Sequence, residues 1–228
     1  MTADIVIDPD PRPAEAVPRI ALVTGASRGL GAALCERLAG AGWHVVAVAR
    51  TTGGLEEVDD RVRERAAPGA LTLAPMDITN DEAMRHLCAS IHGRWGRLDL
   101  WAHAAIHAAP MAPAGHVDLK DWDRSVAVNL RATGALIPMV EPLLLAAPDR
   151  GTALFLDDPR GGTRFFGAYG ATKAGQIALA RSWQAEAARL GPRVVVAEPR
   201  PMATALRARV GLIPEPPPRI DHLLYRSD

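Results

Sequence analysis

Tyr169 and Lys173 stand four positions apart in the run Y-G-A-T-K. On a helix that spacing puts both side chains on one face, within a few ångströms of each other. A neighbouring ammonium favours the phenolate and lowers the phenol pKa, as a residue trading a proton with a carbonyl or alcohol oxygen near neutral pH requires. An exposed pair on a helix surface is the plain alternative. Against it, the chain has only two lysines, Lys120 and Lys173, in a protein rich in arginine.

A second chemical signal lies at Arg19–Leu38, R-I-A-L-V-T-G-A-S-R-G-L-G-A-A-L-C-E-R-L. A short apolar strand leads into three glycines, Gly25, Gly29 and Gly31, and then into a helical pattern with Leu30, Leu34 and Leu38 on one face. The first N–H groups of a helix are unpaired and its dipole is positive there, so a phosphate can rest against them where no Cβ blocks the approach. No G-K-[ST] follows the glycines, which excludes a phosphate-hydrolysing P-loop.

The elements needed to position these groups follow in regular alternation. Strands are expected near 20–24, Trp43–Ala49, Ala70–Met76, Leu98–Ala105, Thr152–Leu156 and Arg193–Ala197. Helices are expected from Leu30, at Leu55–Ala66, Asp81–Trp95, Trp122 to about Leu145 (cap Asp118 or Asp121) and Ala168–Leu190. The predicted fold class is α/β, a three-layer α/β/α Rossmann fold with a parallel sheet of about six strands. Residues 1–18 read as a flexible N-terminal arm, 19–212 as the dinucleotide-binding domain and 213–228 as a Pro-rich tail.

Composition is that of a soluble globular protein: 228 residues, 48% hydrophobic and 23% charged. Acidic and basic residues balance at 26 each, so no global field favours nucleic acid or an anionic membrane. No run is read as a membrane span, and the acidic N-terminus does not read as a signal peptide. Cys35 and Cys88 are expected to be buried, reduced thiols of a cytoplasmic protein. His103 and His107 lack a third ligand at a recognisable interval, so no metal is expected.

With T-G-A-S-R-G-L-G at Thr24–Gly31, D-I at Asp77–Ile78, N-L at Asn129–Leu130 and Y-G-A-T-K at Tyr169–Lys173, the chain resembles the short-chain dehydrogenase/reductase family over roughly 20–212. The segment Thr204–Ala208 looks like the YciK-like bacterial oxidoreductases. The resemblance implies an NAD(P)-dependent oxidoreductase acting on a small-molecule carbonyl or alcohol. It also implies a homodimer through the helices near 122–145 and 168–190. Tyr169 and Lys173 would be the catalytic pair, and Asn129 would hold a water linked to the lysine. Gly25, Ser27, Arg28, Gly29, Leu30, Gly31, Asp77, Ile78 and Lys173 would bind the cofactor. Arg50, ending the second strand, stands where NAD-specific folds place an acidic residue on the ribose; with Arg28 it suits a 2′-phosphate, so NADP(H) is expected over NAD(H).

The chain departs from that pattern where the family's serine should follow the fifth strand. No serine lies between Ser125 and Ser182, and Asp158 takes the place, with Asp157 beside it. A hydroxyl can donate a hydrogen bond to a substrate, whereas an ionised carboxylate only accepts. At about 4 Å and an effective dielectric near 20, its charge would oppose tyrosinate by roughly 4 kcal/mol. A protonated carboxyl, the Thr163 hydroxyl, or aspartates turned away onto Arg160 or Arg164 would each relieve this. Further departures are H-A-A-I at His103–Ile106 and Pro199–Arg200. No seventh strand is readable after Pro218. The alternative to an enzyme is therefore a catalytically impaired NADP(H)-binding protein serving as sensor or assembly subunit.

Overall fold

The computed structural model describes residues 18–65, 67–158 and 160–199. The expected arm up to residue 17, Arg200, the segment Thr204–Ala208 and the Pro-rich tail lie outside those residues. Six parallel strands form one sheet: β1 (Ile20–Thr24), β2 (His44–Ala49), β3 (Ala70–Pro75), β4 (Leu100–His103), β5 (Thr152–Leu156) and β6 (Arg193–Ala197), in the order β3-β2-β1-β4-β5-β6. The chain reverses its direction of winding between β1 and β4, which leaves a crevice beyond the carboxyl ends of those strands.

Period-two alternation in β1 divides the interior. Ile20 and Leu22 face one core with α3 (Asp81–Trp95), α5 (Ala132–Leu145) and α6 (Gly167–Ala187). Ala21 and Val23 face the other, with α1 (Gly29–Gly40) and α2 (Thr52–Glu64). The expected three layers follow from this. α3 begins where Asn80 Oδ1 accepts the Ala83 N–H at 3.0 Å and ends at Gly96, whose φ of 72° is a left-handed cap.

The long helix expected from Trp122 differs from its expectation. It starts earlier, as α4 (Leu119–Ser125), with Asp118 Oδ1 capping the Lys120 N–H. It then passes through a π-helical turn at Val126–Arg131 before resuming as α5. Contrary to the expectation that no run could span a bilayer, the continuous helix Leu119–Leu145 is long and apolar enough by length and composition. Its apolar face is a core face: Val128, Ala132, Leu136, Val140, Leu143 and Leu144 pack beneath the sheet. β4 is shorter than the expected 98–105. After His103 only the Ala104 N–H, on Thr24 O at 3.0 Å, continues the ladder, and the chain lifts away along the crevice.

Candidate active site

The turn after β1 is set by glycine geometry. The N–H groups of Gly25 and Ala26 both donate to Val48 O, at 2.9 and 3.0 Å, drawing the turn across the end of β2. Gly25 has a φ of +76°, and a Cβ there would meet Ala105 N at 2.6 Å. A Cβ on Gly31 would press into the Gly25 carbonyl, so the first turn of α1 lies directly against the loop. Arg28, the N-cap of α1, makes no side-chain cap bond, which leaves the leading N–H groups of a 12-residue helix open to an incoming anion.

A cavity of about 440 Å³ runs along this edge. It is lined by Gly25, Ser27, Arg28, Gly29, Leu30 and Gly31 after β1, by Arg50 after β2 and by Asp77 and Ile78 after β3. Asp158 after β5 and Tyr169 and Lys173 of α6 lie on the same wall, with the loop after β4 beside them. The sheet order therefore brings together every expected site residue except Asn129, which is fully buried behind that wall. The residues suit a dinucleotide: glycines permit close approach, helix N–H groups and two arginines would meet the anionic part, and a phenol and an amine would meet the rest.

Asp77 is held from two sides. Oδ1 accepts from Thr79 N and Oγ1 at 2.9 and 2.8 Å, and Oδ2 accepts from Arg124 at 2.7 Å. Burial alone would raise its carboxyl, but the bonds from Thr79 and Arg124 outweigh it and hold the group below the usual carboxylate range. Arg124, a cavity residue, was not foreseen in the sequence.

The Tyr169–Lys173 pair corrects its expectation. Both residues are buried on one face of α6, but Tyr169 Oη donates to Asp158 Oδ2 at 2.9 Å, and Lys173 Nζ donates to Gln176 Oε1 at 2.7 Å. Burial, then the charge of Asp158 and the bond to it, push the Tyr169 phenol well above its ordinary value; Asp157 adds to this and Arg160 opposes it. Lys173 is not among the causes. Burial likewise pushes the Lys173 amine down to about 8, with Asp157 and Asp158 acting in the opposite sense.

Asp158 does not turn away. It faces Tyr169 with one oxygen and Arg160 Nε, 3.1 Å distant, with the other. Asp157 pairs outward with Arg181 at 3.4 Å and accepts the Asp158 N–H at 2.8 Å. Arg164 stacks on Phe165, and the exposed Thr163 does not line the cavity.

Both amide protons of Asn129 are committed within the protein, which leaves only a second lone pair on Oδ1 for the water the resemblance implies. Oδ1 accepts from His107 N at 2.7 Å, and Nδ2 donates to His107 O at 2.8 Å and Thr172 Oγ1 at 2.9 Å. It thereby ties the loop after β4 to α6. Its link to Lys173 runs from its main-chain carbonyl through the buried Gln176. His103, considered in the sequence as a metal ligand and as the start of the departure His103–Ile106, is buried and bonds Thr24 Oγ1 at 2.8 Å and Thr133 Oγ1 at 3.0 Å. The signal for Gln176 was present: an amide three residues after Lys173, on the face of α6 that packs inward.

A family model described as short chain dehydrogenase matches residues 19–212. A probable NADP-dependent dehydrogenase of Haemophilus influenzae is 29% identical over 181 residues, 78% of this chain and 69% of that protein. An NADP-dependent 3-hydroxy acid dehydrogenase of Escherichia coli is 29% identical over 159 residues, 68% of this chain and 61% of that protein. The crystal structure of a metagenomic short-chain oxidoreductase in complex with NADP superposes with a TM-score of 0.73 at 29% identity, covering 84% of this chain and 83% of that one.

Proposed function

Since the chain belongs to the short chain dehydrogenase family, we propose that it is an NADP(H)-dependent oxidoreductase acting on a carbonyl or alcohol of a small-molecule substrate. The observation that carries this reading is the single cavity in which an open helix N-terminus, two arginines and the Tyr169–Lys173 pair meet. NADP-dependent relatives and the NADP complex of a similar structure support the cofactor. Nothing in them favours a binding subunit without chemistry.

The nicotinamide, when bound, supplies the hydride acceptor or donor. The leading N–H groups of α1 would hold the diphosphate, Arg28 and Arg50 the 2′-phosphate, and Lys173 the ribose. Asp77 and Ile78 would border the base. Tyr169 Oη exchanges a proton with the substrate oxygen; in alcohol oxidation it passes its own proton to Asp158 Oδ2, so the phenol need never ionise. Asn129 fixes the wall behind them. The reading includes a cytoplasmic homodimer joined through α4–α5 and α6, where Trp122 and Leu145 leave apolar surface exposed; sedimentation of the purified chain tests the dimer.

The enzyme itself is tested by NADP⁺ reduction against a panel of secondary alcohols and 3-hydroxy acids. Tyr169→Phe is expected to lower turnover by about 100-fold or more while NADPH still binds, in line with the loss of a general acid–base. A Tyr169→Phe protein as active as its parent, or a parent that ignores NADPH at millimolar levels, overturns the proposal.

A further inference from the structure

Gln176 is almost fully buried, at 1% exposure, and each polar atom of its amide is used. Nε2 donates to Asn129 O and to Thr133 Oγ1, both at 2.9 Å, while Oε1 accepts from Lys173 Nζ at 2.7 Å. The orientation of the amide is dictated by its partners. A main-chain carbonyl only accepts, and the Thr133 hydroxyl already gives its one proton to Asn129 O at 2.9 Å, so both demand the NH₂ end of Gln176. The oxygen end can then face nothing but Lys173.

The same proton count continues away from the lysine. With its proton committed, Thr133 Oγ1 can only accept from His103 Nε2, which places the ring proton there and leaves Nδ1 to accept from Thr24 Oγ1. Burial, and then the charge of Lys173, hold His103 far below the usual imidazole range, at about 3, so the ring stays neutral and the tautomer stays fixed. Two runs of donors, one from Lys173 through Gln176 and one from Thr24, where the glycine turn begins, through His103, thus converge on Thr133 Oγ1, whose own proton goes to Asn129 O.

We propose that Gln176 is a positioning residue for Lys173, aiming the amine into the cavity through hydrogen bonds anchored on the Asn129 carbonyl and on Thr133. The consequence for cofactor binding rests on the reading of Lys173 given above; the link itself does not. The ionisable groups acting on Lys173 are Asp157 and Asp158 from beyond β5, and Lys173 in turn acts on His103 of β4.

The test reads the lysine directly. In a Lys120→Arg background Lys173 is the single lysine, so ¹³C-lysine NMR of the full, cofactor-free chain follows it without ambiguity. Gln176→Met removes the acceptor, and the Lys173 midpoint is expected to fall by about one pH unit or more. Gln176→Glu sets a carboxylate there, and the midpoint is expected to rise by about as much. NADPH affinity, by fluorescence titration, should weaken roughly ten-fold in Gln176→Met, equivalent to the loss of one charge-assisted bond. A packing role alone would lower thermal stability in both variants and leave the lysine titration unmoved, which overturns the proposal. Should Gln176→Met fail to fold, the sign of the shift in Gln176→Glu decides. Opposite shifts in a protein that ignores NADPH would uphold the link and remove the dehydrogenase reading instead.

Discussion

Tyr169 Oη donates to Asp158 Oδ2 across 2.9 Å, while the other oxygen of the same carboxylate stands 3.1 Å from Arg160 Nε. The phenolic proton therefore has a defined destination, although burial and the carboxylate charge keep the ring from ionising in bulk solution. Asp158→Asn separates the two effects. It removes a charge that raises the phenol, so the ultraviolet titration difference between this variant and its Tyr169→Phe double mutant should show Tyr169 ionising at lower pH than in the parent. It also removes the proton acceptor, and alcohol oxidation should fall by about 100-fold. Equal or faster turnover in Asp158→Asn would mean that the carboxylate is only a brake.

Arg28 and Arg50 both line the cavity beside the N-terminus of α1. If they face a 2′-phosphate, Arg50→Asp should weaken NADPH by about 10- to 100-fold, the scale of a charge-assisted pair replaced by repulsion, and leave NADH unharmed. Competitive fluorescence titration with the two nucleotides measures the ratio. Parallel losses for both would place Arg50 on something other than that phosphate.

His103 carries a pH signature of its own. Its folded value of about 3 lies below the ordinary 6.5, so between these limits the unfolded chain binds the extra proton and stability falls as pH falls. At pH 4.5 this amounts to about 2–3 kcal/mol relative to neutrality. Replacing the ring by His103→Asn should cost stability at pH 7 by loss of the bonds to Thr24 and Thr133, yet flatten the decline from pH 6.5 to 4.5. Urea unfolding across that range reads both.

Gly31→Ala is expected to fail for backbone reasons, because the added methyl would press on the Gly25 carbonyl. Relief requires α1 to move off the loop, at a cost of about 1–3 kcal/mol typical of overpacking, and with loss of NADPH binding. Gly40→Ala, where an added Cβ meets nothing within 4 Å, is the control: thermal melting should register little change.

Much of this architecture was legible in the residues. Asp81–Trp95, Thr152–Leu156 and Arg193–Ala197 fall where periodicity and caps place them, because strands covered on both faces and a capped amphipathic helix each have a strong local pattern. The glycine turn and the Tyr–Lys spacing were equally plain. The electrostatics of the pair were not. Four-residue spacing puts Tyr169 and Lys173 on one face, but which neighbour each side chain meets depends on the loop after β5 and on Gln176, and neither is encoded in helix geometry. The π turn was also hidden, since Val126–Leu130 keeps an apolar rhythm compatible with ordinary helix.

That widened turn has its own consequence for variation. A π turn corresponds to an α-helix with an added residue, so deletion of one position between Val126 and Arg131 could restore an unbroken spiral at little local expense. The flanking segments would keep roughly their mutual phase, because the wide turn advances less per residue and so takes up the added residue locally. The stripe ending in Val140 and Leu144 would stay beneath the sheet, while the polar corner at Asn129, inside the turn, would be rebuilt. The added residue thus bears on the site and hardly on the core, and its removal should be read in cofactor binding before it is read in stability.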